Sequence, residues 1–205
     1  MVCTKKIILG SASPRRRELL QQIGLSFMVL PSDCDEQVTS TVPAEIVQEL
    51  SQQKAMDVFD KVANGWAGKV NAAEALIIGA DTIVALEGEV LGKPHSKENA
   101  ISMLNHLQGK THQVYTSVSF IWEEQGKLMT HTFFEKTDVE VLPMTEQEIL
   151  YYVGLDTCMD KAGSYGIQNE FACFVKGISG DYNSVVGLPV GRVYQELQRI
   201  SLIKL

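Results

Sequence analysis

The chain has 205 residues, 45% of them hydrophobic and 21% charged, with a formal net charge of −7. A chain of this size buries a core without disulfide or metal staples, and its acidic balance argues against a general nucleic-acid binder, which would show a basic face to phosphates. No apolar run approaches the roughly 18 residues of a membrane helix, and Ile7–Leu9 behind Lys5 and Lys6 is too short for a signal-peptide core, so a cytoplasmic protein with no membrane partner is expected. Cys3, Cys34, Cys158 and Cys173 form no CxxC pair and are expected as reduced thiols without a chemical role.

In chain order, Lys5–Leu9 predicts a buried strand ending at Gly10. Ser13-Pro14 then starts a helix, with serine as cap and proline in the first turn; Leu19, Leu20 and Ile23 form its stripe and Gly24 stops it. Ser26–Leu30 reads as a second strand and Pro43 to about Val62 as a long helix. Asn64–Ala73 is polar with three breakers and reads as a loop. Ala75–Leu86 is a strand that Glu87-Gly88 turns back through Val90-Leu91. Ser96 opens a helix closed by Gly109. His112–Trp122 and Leu128–Leu142 are strands around a turn at Gly126. Thr145 and Glu148 make a capping box ahead of a helix through Tyr152. A glycine-rich loop, a strand over Phe171–Val175, a loop around Asp181 and a terminal helix complete the chain. The irregular mixture of helices and strands predicts a mixed sheet in an α/β (α+β) fold, as one domain over 1–205.

Five segments carry candidate chemistry. In Gly10-Ser11-Ala12-Ser13-Pro14-Arg15-Arg16-Arg17, small residues lead from a strand into a helix N-terminus, which favours anions. Three arginines there oppose the helix dipole and repel one another; a docked phosphate chain reverses both penalties, whereas a solvated basic turn does not. In Leu76-Ile77-Ile78-Gly79-Ala80-Asp81-Thr82, an apolar strand delivers a carboxylate after two small residues that would let a ligand approach the backbone. Asp81 is then a metal ligand or a general base, with a turn aspartate bonded to local N–H groups as the bland alternative.

Lys93 in Gly92-Lys93-Pro94 and Lys54 on the long helix are each weak alone, but with Arg15 and Arg16 they suit a triphosphate. In Asp160-Lys161-Ala162-Gly163-Ser164-Tyr165-Gly166-Ile167-Gln168, paired glycines suggest a flexible loop able to shape a base pocket. The Gln168 amide matches the carbonyl and imino pair of uracil or thymine, although most loop glutamines are merely solvated. In the final segment, Gly180 to Pro189, Asp181 fits a cap and a metal ligand equally well.

Together SASPRR (Ser11–Arg16), GADT (Gly79–Thr82), LGKP (Leu91–Pro94), MDKAGSYGIQ (Met159–Gln168) and GDYNSVVGLP (Gly180–Pro189) resemble the Maf (septum formation) family of nucleotide pyrophosphatases, from Lys6 to about Leu197. The resemblance implies two lobes around a central cleft and a strongly bent mixed sheet with flanking helices, related to inosine triphosphatases. It also implies hydrolysis between the α and β phosphates. By position it makes Asp81 the catalytic carboxylate, and Ser11, Arg15, Arg16, Lys54 and Lys93 the phosphate site. Glu36, in the acidic stretch Asp33–Glu36, joins Asp81 as a candidate ligand for Mg²⁺ or Mn²⁺. DKAG-x-YGIQ resembles the branch acting on dTTP and UTP, with Arg15, Thr82 and Gln168 as specificity positions. Asn169 and Asn183-Ser184 depart from the commoner residues and bear on base preference. A homodimer is expected only by analogy with the family. The competing readings are a pyrophosphatase for modified or noncanonical nucleotides, and a division regulator that binds nucleotides without hydrolysis; Asp81 favours an enzyme, since a carboxylate beside a phosphate site repels a ligand that is merely held.

Overall fold

A computed structural model describes residues 2–68 and 70–204; Lys69, within the expected loop, lies outside the described residues, as do the two terminal residues. The chain forms two compact units, one of Met1–Asp81, Thr116–Phe134 and Gly187–Leu205, the other of Thr82–Tyr115 and Glu135–Val186.

The first unit begins with β1 (Val2–Cys3), β2 (Lys6–Leu9), α1 (Pro14–Gln22), β3 (Phe27–Val29) and α2 (Pro43–Ala63). A 3-10 turn, Ala72–Glu74, leads into β4 (Ala75–Leu86). Strand β2 pairs in parallel with both β3 and β4, with Ile8 opposite Met28 on one side and Ile77 on the other. A strand covered on both faces is apolar at successive positions rather than alternating: Ile7, Ile8 and Leu9 of β2 and Leu76, Ile77 and Ile78 of β4 are all buried. Over them lies α2, whose Ala55, Val58 and Val62 join Ile8, Ile77 and Ile121 in one apolar cluster. Each valine or isoleucine among them contributes roughly 1.5–3 kcal/mol on full burial. At the start of α1, Ser13 accepts from the Arg16 N–H and Pro14 occupies the first turn, as the sequence predicts.

In the second unit the last part of β4 turns through Glu87 and Gly88 into β5 (Glu89–Leu91), which pairs antiparallel with Val84 opposite Leu91. Both turn residues have positive φ, 54° and 88°, the conformation a two-residue hairpin demands. Next come α3 (Lys97–Leu107), β6 (Thr111–Glu124) and β7 (Lys127–Val141). Gln125 and Gly126 between β6 and β7 repeat the same positive-φ turn. In α4 (Glu146–Gly154), Thr145 and Glu148 form the expected reciprocal cap. Strand β8 (Val175–Ser179) pairs antiparallel with β7 and α5 (Tyr182–Val186) follows, while α6 (Val190–Arg199) and β9 (Ile203–Lys204) belong to the first unit. Strand order in the sheet is β3-β2-β4-β6-β7-β8, with β5 beside β4; β9 pairs separately with β1. The fold is mixed α/β, as expected. None of the described helices is long and apolar enough to cross a membrane.

Two expectations differ: Tyr182–Val186, read within the loop around Asp181, is the short helix α5, and one strand is shifted. Glu170–Phe174, expected within a strand from Phe171, is a 3-10 helix, and the strand begins at Val175. A short apolar run does not by itself distinguish a strand from a buried helical turn. Here packing decides: Phe171 is fully buried, with ring centroids of Tyr165, Tyr152 and Phe174 at 4.6, 5.2 and 5.7 Å.

Candidate active site

The loop between β2 and α1 carries the first motif. Ser11 is buried, and its Oγ accepts from the Ser13 N–H at 3.3 Å and from Arg16 Nη1 at 3.1 Å. Arg16 Nε donates to the Gly187 carbonyl at 2.8 Å. The guanidinium therefore folds back and ties its own loop to the GLP end of the last motif, a partnership the sequence did not signal because it runs through a backbone carbonyl. Desolvation pulls the Arg16 pKa below its ordinary value; the charge of Asp81 pulls it back up, Arg15 lowers it, and Glu36 raises it. Arg15 is half-buried and Arg17 exposed.

Strand β4 delivers Asp81, α2 delivers Lys54, and the segment after β3 delivers Glu36. Lys54 Nζ donates to Asp81 Oδ1 and pairs with Glu36 Oε1 at 2.8 Å. Side-chain exposure rises from 13% at Asp81 and 18% at Lys54 to 47% at Glu36, so the trio leads from the protein interior to solvent. Gly79 permits this meeting. A Cβ on it would lie 2.6 Å from the Ser51 carbonyl and 2.7 Å from Ala55 N and Cβ, all atoms of α2. The small residue expected to admit a ligand instead admits a helix, and thereby brings Lys54 to Asp81.

The two carboxylates offer hard oxygen donors of the kind Mg²⁺ and Mn²⁺ take, typically one or two from protein with phosphate oxygens and water completing the shell. Among the described residues no group of three or more His, Cys, Asp and Glu side chains is arranged to hold a metal. Asp81 and Glu36 are the two carboxylates beside Lys54 that could contribute to holding such a cation.

In the second unit, the Gly163 N–H donates to the Gly92 carbonyl at 3.0 Å, which brings LGKP and DKAGSYGIQ together. Lys93 and Gln168 are exposed and Thr82 half-buried. The loop before Gln168, expected to be flexible, is packed. Tyr165 is buried and its hydroxyl lies 2.7 Å from His112 Nε2, while the Gly166 N–H donates to the Tyr152 hydroxyl at 3.2 Å. Lys161 is buried, bonded to the Thr157 carbonyl and, at 2.6 Å, to Asp160 Oδ1. A Cβ on Gly166 would come within 2.6 Å of the Lys161 stem. Asp181 proves to be a cap: its Oδ1 accepts from the Asn183 and Ser184 N–H groups at 2.7 and 3.4 Å. All four cysteines are free.

Comparison with known proteins agrees with these motifs. The family model described as Maf-like protein matches residues 6–200. The chain is 51% identical over 201 residues to a protein of Agathobacter rectalis named dTTP/UTP pyrophosphatase, covering 96% of this chain and 98% of that relative. Proteins of the same name from Lachnoclostridium phytofermentans and Bacillus anthracis are each 43% identical, over 202 and 199 residues, with 97% of this chain covered in both cases and 98% and 97% of the relatives. The chain belongs to the Maf family.

Proposed function

We propose that this protein is a nucleoside triphosphate pyrophosphatase that hydrolyses dTTP and UTP to the monophosphate and pyrophosphate. The observation that carries the reading is the joining of Asp81 and Glu36 through Lys54, in the same unit as the Ser11–Arg16 loop. A protein that only held nucleotides would gain nothing from two carboxylates beside its cations. The names of its relatives point to the same reaction.

Water attacks the α-phosphorus, the bond from that phosphorus to the α–β bridging oxygen breaks, and pyrophosphate leaves. Ser11, Arg15, Arg16, Lys54 and Lys93 are assigned to the phosphates, where cations offset the charge that grows on the leaving group. Asp81 is assigned to the attacking water, which it orients and whose proton it accepts. A divalent cation held by Asp81 and Glu36 would add Lewis-acid stabilisation of the same charge. Thr82, Arg15 and Gln168 are assigned to base selection.

The test is pyrophosphate release from a panel of nucleoside triphosphates, with and without Mg²⁺ or Mn²⁺, for the parent and for Gln168→Glu. Metal-dependent release led by dTTP and UTP, with that preference flattened in the variant, is the expected result. Release led by another nucleotide would overturn the substrate assignment, and no release from a folded sample would overturn the enzyme.

A further inference from the structure

The segment that carries Glu36 has no regular structure, yet it is fastened along α2 at nearly every step. At its start, Lys61 Nζ bonds Asp33 and the Pro31 carbonyl (3.2 Å) and pairs with Asp57 at 2.9 Å, while the Asp33 N–H donates to Asp57 Oδ2 at 3.2 Å. At its end, the Thr39 N–H and hydroxyl donate to the two oxygens of Glu49 at 2.9 and 2.5 Å, and Ser40 Oγ donates to Glu45 at 2.6 Å. Between them the Gln37 N–H donates to Gln53 Oε1 at 2.9 Å, and Gln53 Nε2 donates back to the Gln37 carbonyl at 2.6 Å.

This last contact differs in kind from the others. The side-chain amide of Gln53 engages both backbone groups of Gln37, as a neighbouring strand would. The Gln37 N–H belongs to the peptide that joins it to Glu36, so fixing that N–H fixes the plane from which the Glu36 side chain departs. Gln53 also immediately precedes Lys54 on α2. One turn of helix therefore holds the backbone beside Glu36 and supplies the ammonium that Glu36 meets. An exposed glutamate on an irregular segment otherwise loses rotamer and backbone freedom on reaching a fixed partner.

We propose that Gln53 is a positioning residue for the pyrophosphatase reaction: by clamping the Gln37 backbone it aims the Glu36 carboxylate at Lys54 and Asp81. The inference rests on the reading that Glu36 serves the reaction. Its test is a double-mutant cycle on dTTP turnover in the full chain, using Glu36→Gln, Gln53→Met and the two combined. Methionine keeps the length and helix preference of glutamine but neither hydrogen bond. Hydrogen exchange of residues 31–40 is followed in parallel and thermal melting verifies folding.

Gln53→Met is expected to lower kcat about ten-fold, the scale on which partners that orient a functional ligand act. It should speed exchange in 31–40 while leaving α2 protected, and have no further effect once Glu36 is Gln, because its contribution passes through that carboxylate. An equal loss from Gln53→Met in both backgrounds, or no loss in either, would overturn the proposal. Undiminished turnover by Glu36→Gln would instead remove the role of Glu36, and the proposal with it.

Discussion

Gly79→Ala places one methyl group where the structure has no room for it. The new carbon would lie 2.6 Å from the Ser51 carbonyl oxygen and 2.7 Å from both Ala55 N and Ala55 Cβ, whereas ordinary carbon contacts lie near 3.5–4.0 Å. Two of these are backbone atoms of a 21-residue helix, so no side-chain rotation relieves them. Overpacking of this kind costs about 1–3 kcal/mol, and rigid neighbours place this case at the upper end. For a protein of this size about 3 kcal/mol corresponds to a fall in Tm of roughly 6–12 °C. The helix can relieve the clash only by moving away from β4, and Lys54 moves with it. We therefore expect differential scanning fluorimetry to show the lower Tm, and dTTP turnover to drop at temperatures where the variant is still folded. A variant that melts within about 1 °C of the parent and keeps its kcat would refute the claim that Gly79 sets the approach of α2 to β4.

Two further outcomes follow from the structure. Asp81→Asn keeps the shape of the side chain and should remove dTTP turnover while leaving far-ultraviolet circular dichroism unchanged; near-normal turnover would withdraw Asp81 from the reaction. Burial drives the His112 pKa down from 6.5 to about 4, partly opposed by the charge of Asp138. The unfolded chain therefore binds a proton below about pH 6.5 that the folded chain refuses until about pH 4, and stability falls as pH is lowered through that window, by about 3 kcal/mol in all. Carboxylates such as Glu196, held below their ordinary range against burial by Arg192 and His131, also lose stabilisation in acid. The contribution of His112 is thus read by comparing, for the parent and His112→Gln, how far the unfolding free energy from urea melts falls between pH 7 and pH 4.5. Identical falls would contradict it.

Much of the architecture was legible because local chemistry and tertiary structure agree. Glu87-Gly88 and Gln125-Gly126 supply the positive φ of tight hairpins, Thr145 and Glu148 cap each other, and Ser13-Pro14 opens a helix where the sequence places it. The chemical motifs were legible as residue types: Ser11 and Arg16 do meet, and Lys54 does reach both Asp81 and Glu36. Their reasons were less so. Gly79 read as space for a ligand and is space for a helix, since nothing in a single strand announces what will pack on it. Gly187 enters through its carbonyl, 171 residues away from Arg16, and a carbonyl carries no side-chain signal. The glycines of the Gln168 loop read as freedom, yet Gly166 makes room for the Lys161 stem and Gly163 sits against Val84. Phe171 was drawn into a helical turn by three aromatic neighbours that lie up to 19 positions away along the chain.

The fastening of the Glu36 segment falls on Glu45, Glu49, Gln53, Asp57 and Lys61 of α2, one contacting side chain at every fourth position. Substituting any one of these loosens a single stitch. Inserting or deleting one residue near the middle of α2 would rotate everything beyond it by about 100° around the helix axis and carry the downstream contacts off the seam together. Apart from Lys54, which the site itself needs, and Ala55, which packs on Gly79, this stretch should consequently drift in composition among relatives more readily than in length.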